Sequence, residues 1–129
     1  MNVPVMIVGC VTLLAFFAHL FGGTKETASL APEAGEDRKS RSWKQAMCAF
    51  QMLAVDIGTI AGLLFVISLT DIIPFEREAL LVLSLVYLLW GVVWLVQLFW
   101  LKSDGKTYLV LPQWVLWFVC SGLLYYGAQ

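Results

Sequence analysis

Charge is scarce in this chain. Asp, Glu, Lys and Arg make up 13% of its 129 residues, whereas 60% are hydrophobic and the mean hydropathy is +0.83. Soluble domains carry about 25% charged residues, so the balance points away from water and towards a membrane. A net charge of −1, with no basic stripe interleaved with aromatics, leaves no footprint for nucleic acid. The single histidine means that two imidazoles of one chain cannot hold a haem iron. Cysteine is equally sparse. Cys10, Cys48 and Cys120 are an odd number, all lie in apolar segments, and none forms a CxxC or CxxH pair. That argues against a disulfide framework or a zinc site and predicts small buried thiols. HExxH, GxSxG, phosphate-loop and paired-carboxylate arrangements are absent, so no catalytic residue, cofactor or metal is expected.

Long apolar runs are what the chain does have. Four of them, about residues 3–21, 45–69, 79–101 and 108–127, are each near the ~20 residues that cross a ~30 Å hydrocarbon core. Backbone groups in lipid must be satisfied within the segment, which predicts four helices. The first run has no basic leader and no small-residue cleavage site, so it reads as a span rather than a signal peptide. Gly22-Gly23 is expected to close the first helix, leaving residues 22–44 as the only long loop. Pro32, followed by Glu33 and Glu36, suits a short helix leading into the second span. Asp71 to Pro74 reads as a tight turn, with Glu76 and Glu78 in the first turn of the third helix. Ser103-Asp104-Gly105-Lys106 reads as a turn before the fourth. The expected architecture is all-α: a single polytopic four-helix membrane domain over residues 1–129.

Basic residues set the expected orientation. Lys25, Arg38, Lys39, Arg41 and Lys44 fall in the first loop and Lys102 and Lys106 in the third, against Arg77 alone on the other side. The positive-inside rule then places residues 22–44 and 102–107 in the cytoplasm and both termini outside. Insertion in both orientations would need a more even balance. Arg38, Lys39, Arg41 and Lys44 also suit anionic lipid head groups, at about 1 kcal/mol each.

Asp56 stands out within the second run. A carboxylate at that depth costs ~2.5–3.5 kcal/mol on insertion scales and marks a candidate site. Three roles are open to it: a structural acid with Thr59 and Thr12 as neighbours, a proton or cation relay, or the partner of a basic group on another subunit. On a helical wheel Cys48, Met52, Asp56, Thr59 and Leu63 share one face, while Ala54, Gly58, Ala61 and Gly62 form a small-residue packing surface nearly opposite. The second helix is therefore expected to be packed on both sides and central. His19, Gln51, Gln97 and Gln113 each lie within a turn or two of one end of their helices. They read either as interhelical glue, at about 0.6 kcal/mol per bond, or as a polar vestibule or lipid or quinone head-group site leading to Asp56.

His19-Leu20-Phe21-Gly22-Gly23 at the end of the first run, with Leu111-Pro112-Gln113-Trp114 near the start of the fourth, resembles a loose group of uncharacterised small bacterial four-helix integral membrane proteins. The resemblance covers the whole chain and implies architecture, not an activity. Small multidrug transporters carry a glutamate in their first helix, which this chain lacks, and dual-topology fluoride channels conflict with the charge bias. The functional expectation is a non-enzymatic integral subunit or assembly factor of a larger membrane complex, in contact with lipids and with other membrane-protein subunits or copies of itself. The alternative is a small oligomeric proton-coupled transporter or channel using Asp56, and a third reading is an enzyme acting on a lipid or quinone.

Overall fold

The computed structural model describes all residues from Met1 to Gln129, and its regular elements are all helical. They are α1 (Val3–Phe17), a π-helical segment (Ala18–Gly23), α2 (Thr24–Ser29), α3 (Asp37–Leu69), α4 (Glu76–Trp100), α5 (Gly105–Val110) and α6 (Gln113–Gly127). Three helical stretches, Val3–Ser29, Asp37–Leu69 and Glu76–Trp100, are long and apolar enough to cross a membrane. The chain divides into two compact units, Gly9–Phe65 and Met1–Val8 with Val66–Gln129.

Gly9–Phe65 is an antiparallel helical hairpin. Contacts pair Gly9 with Leu64, Phe16 with Gly58, Phe50 with Gly23 and Trp43 with Thr27, in opposite order along the two arms. On α3 the buried side chains Ala54, Ile57, Ala61 and Leu64 recur at spacings of three and four, which puts them on one stripe. Gly22-Gly23 does not end the first helix, contrary to expectation. A Cβ on Gly23 would stand 2.7 Å from the Phe50 ring. The glycine is there for close approach, and its backbone stays helical (φ −62°, ψ −39°). The helix therefore runs on through the π segment to Ser29. The expected 22–44 loop shrinks to residues 30–36, turning at Gly35 with φ +98°, and no short helix opens at Pro32. Arg38, Lys39, Arg41 and Lys44 consequently lie on the first turns of α3 rather than in a loop.

The other unit is built on α4 and α6. Leu80, Leu83, Ser84, Tyr87, Gly91 and Leu98 form the buried stripe of α4. Against it, Ser84 and Ser121 donate to each other's carbonyls at 2.9 and 2.8 Å, satisfying both buried hydroxyls. Phe118 lies against Gly91, where a Cβ would come within 2.6 Å of the ring. Tyr87, Trp90 and Trp117 pack with ring centroids 5.2 to 5.8 Å apart, a spacing typical of attractive aromatic pairs. Asn2 ties the chain start to this unit. Its backbone N–H donates to the Ser68 carbonyl at 3.1 Å, and its side-chain amide donates to Gly127 O at 2.8 Å and reaches Glu76 Oε1 at 3.5 Å.

The ends of these helices follow ordinary capping chemistry. Glu76 and Glu78 occupy the first turn of α4, where negative charge is favourable. At its other end Lys102 takes a left-handed conformation (φ 52°), Ser103 N–H bonds Leu98 O and Lys102 N–H bonds Phe99 O, the double closure of a Schellman motif. Asp104 and Gly105 do more than turn the chain. Asp104 caps α5, accepting from the Thr107 N–H at 3.0 Å and from the Thr107 hydroxyl. These bonds hold its carboxyl below the usual range, with the hydroxyl the larger cause.

The fourth helix, expected to be continuous over 108–127, is broken at Leu111-Pro112. Proline has no N–H and disfavours helical geometry in the residue before it, and Leu111 sits at φ −113°, ψ 65°. The N–H missing at Pro112 is the one that would have bonded the Tyr108 carbonyl four residues earlier. The indole Nε1–H of Trp114 donates to that carbonyl instead, at 3.1 Å. A side chain thus replaces a backbone donor two residues past the break.

Candidate functional site: Asp56 and the π segment

The wide spacing of the π segment leaves backbone groups for side chains to use. Gln51 on α3 donates from Nε2 to Thr24 Oγ1 at 2.8 Å, and the Thr24 hydroxyl reaches the His19 carbonyl at 3.4 Å. His19 Nε2 lies 2.9 Å from the Phe50 carbonyl. A carbonyl only accepts, so that bond requires the proton on Nε2. The imidazole also stacks on the Phe50 ring at 3.7 Å between centroids. His19 and Gln51, two of the four residues expected in a polar layer, are therefore brought to adjacent places, each committed to a bond within the hairpin. Thr24 and Phe50, which complete the network, were not foreseen. The usable signal was Gly23, whose missing side chain makes room for an aromatic ring.

Beside this network lies an open cleft of about 500 Å³, walled by Phe16, Leu20, Ala54, Val55 and Gly58 and edged by Gln51 and Thr59. Of the small residues expected to pack, Ala54 and Ala61 are buried (3% and 0% exposed), and Gly58 would place a Cβ 3.1 Å from Phe16. Gly62 has open space over it.

Asp56 points away from all of this. It is exposed, no hydrogen bond or ion pair reaches its carboxylate, and neither Thr12 nor Thr59 serves it as a partner. Thr12 is fully buried, while Thr59 is exposed one turn along α3. Around Asp56 the surface is apolar, with Met52 69% and Val55 67% exposed. Within the chain the Ala54–Ala61 stripe of this helix is covered and the Cys48–Met52–Asp56–Thr59 face is bare. Cys10 and Cys48 are likewise exposed, and only Cys120 is the buried thiol expected of all three.

Gln97 and Gln113 belong to the other unit. Gln97 is exposed on α4. Gln113 opens α6, and its Oε1 is buried without a hydrogen-bond partner, as is Trp94 Nε1. Arg38, Lys39, Arg41 and Lys44 are all exposed, with Lys39 held by Glu36 at 2.6 Å.

No protein-family model, no curated protein and no solved structure matches this chain. Sequence and fold together define the class: an all-helical protein with three helices long and apolar enough to span a membrane.

Proposed function

We propose that this protein is a small, non-enzymatic integral membrane subunit or assembly factor of a larger membrane complex. In this reading four segments cross a bacterial inner membrane, with α5 and α6 together making the fourth, both termini outside, and residues 22–44 and 102–107 cytoplasmic. The bare face of α3 carries the proposal. Asp56 lies twelve residues beyond Lys44 and thirteen before Leu69. At ~1.5 Å per residue that is about 18–20 Å from either end, well inside a ~30 Å core. A carboxylate facing lipid there is unfavourable by ~2.5–3.5 kcal/mol, so the face is one that another protein covers. The polar groups that do meet inside the hairpin support a structural role, since the side chains of His19, Thr24 and Gln51 each bond a group of the facing arm or of the π segment. Between 22% and 33% of each apolar stretch is buried within the chain, which leaves ample surface for lipid and for partners.

Native mass and partner identification on protein extracted mildly from its own membranes test this. A stoichiometric unlike partner is expected, and a lone homo-oligomer sinks the proposal. The cleft edged by Gln51 and Thr59 favours a second reading, in which copies assemble around Asp56 and pass protons. That reading requires Asp56→Asn to abolish proton flux in proteoliposomes.

A further inference from the structure

We infer that the Asp56 face receives a transmembrane helix of a different subunit that carries a basic side chain at the depth of Asp56. The inference rests on the subunit reading and adds the chemistry of the partner. A buried charge is tolerated when it is paired, and acidic side chains within membranes pair with basic ones or with other strong donors. Asp56 has neither inside its own chain. Its surroundings are those of a contact centre, with exposed Met52 and Val55 flanking the carboxylate. An apolar rim that excludes water around one charged pair is the arrangement in which that pair contributes most to association.

A second copy of this chain does not supply the missing charge. All eight Lys and Arg residues lie at positions 25, 38, 39, 41, 44, 77, 102 and 106, at the ends of the spans or between them. The one other ionisable side-chain nitrogen, on His19, is bonded at the level of Phe50. Phe50 and Asp56 are six residues apart on α3, or about 9 Å along the axis, so a parallel copy presents its histidine a turn and a half from the carboxylate. Only an inverted copy aligns the two, and the seven-to-one bias of basic residues opposes inversion.

The test places a photo-crosslinking amino acid at Met52 or Val55 in the full chain, in native membranes, and identifies the adduct by peptide mass spectrometry. The expected adduct joins this face to a peptide of another membrane protein with Lys, Arg or His inside an apolar run. Asp56→Asn, which keeps the shape, should lower the adduct yield by at least about tenfold, because truncating one member of a desolvated charge pair leaves the other unpaired. Asp56→Lys should lose the adduct, and changing the partner's basic residue to Asp should restore it. An adduct to this same chain, an adduct to a helix without a basic residue, or a yield indifferent to Asp56→Asn overturns the inference. The two proposals fail differently. A stoichiometric unlike partner that survives Asp56→Asn and Asp56→Lys overturns the charge pairing and leaves the subunit reading standing, whereas a lone homo-oligomer overturns both.

Discussion

The hairpin Gly9–Phe65 and the α4–α6 pair are made of the same material and treat their polar groups in opposite ways. In the α4–α6 pair two buried serines satisfy each other across the interface, and the aromatic cluster of Tyr87, Trp90 and Trp117 fills the space beside them. The hairpin also closes its small polar groups, through Gln51, Thr24 and His19, yet leaves its one mid-span carboxylate facing outward and unbonded. The α4–α6 unit also leaves two polar atoms unbonded, Trp94 Nε1 and Gln113 Oε1, but it buries them, whereas the hairpin's carboxylate stands on the surface. The difference separates side chains that hold the fold from one that is available to something else.

Glycine substitutions sharpen that contrast most. Gly91→Ala sets a Cβ within 2.6 Å of Phe118, and overpacking of this kind destabilises by about 1–3 kcal/mol. Gly62→Ala meets open space and should be neutral or slightly stabilising, since alanine is the better helix former. Denaturant titration of both variants in detergent checks this, and equal effects would break the distinction between a sealed and an open face. Next in size, Ser84→Ala and Ser121→Ala should each lose about 0.6 kcal/mol, the average for interhelical bonds in membranes. A double-mutant cycle should find them coupled, and strict additivity would show that the pair is not a unit.

The smallest expected effect lies outside the spans. The folded pKa of Asp104 is depressed, so its cap is in force above the ordinary carboxylate pKa and is lost as pH falls through the folded value. Amide exchange at Thr107 should therefore quicken, relative to the intrinsic rate, over that acidic window. Asp104→Asn, still a good cap, should remove the pH dependence. A Thr107 amide insensitive to acid in the parent protein would remove the cap from the account.

Much of this was legible in the residues. Apolar length located the three long helices, and Glu76 and Glu78 marked where α4 starts. Asp56 was conspicuous from hydropathy alone. Its direction was not, because both sides of α3 are apolar or small and a wheel cannot say which is covered. The covered side proved to be the one where alanines let the other arm approach. Gly22-Gly23 misled because glycine both ends helices and admits a close neighbour, and only the position of Phe50 tells the two apart. Pro112 was visible, but its apolar surroundings outweighed it in a reading by length.

The repair at that break has an evolutionary consequence. Because the Trp114 indole bonds the carbonyl that Pro112 leaves without a donor, the two residues form an epistatic pair. With proline in place, losing the indole donor strands a carbonyl. With an alanine at position 112 the backbone supplies its own donor and the same loss is mild. Substitutions at positions 112 and 114 are therefore accepted in one order more readily than in the other, with proline yielding first.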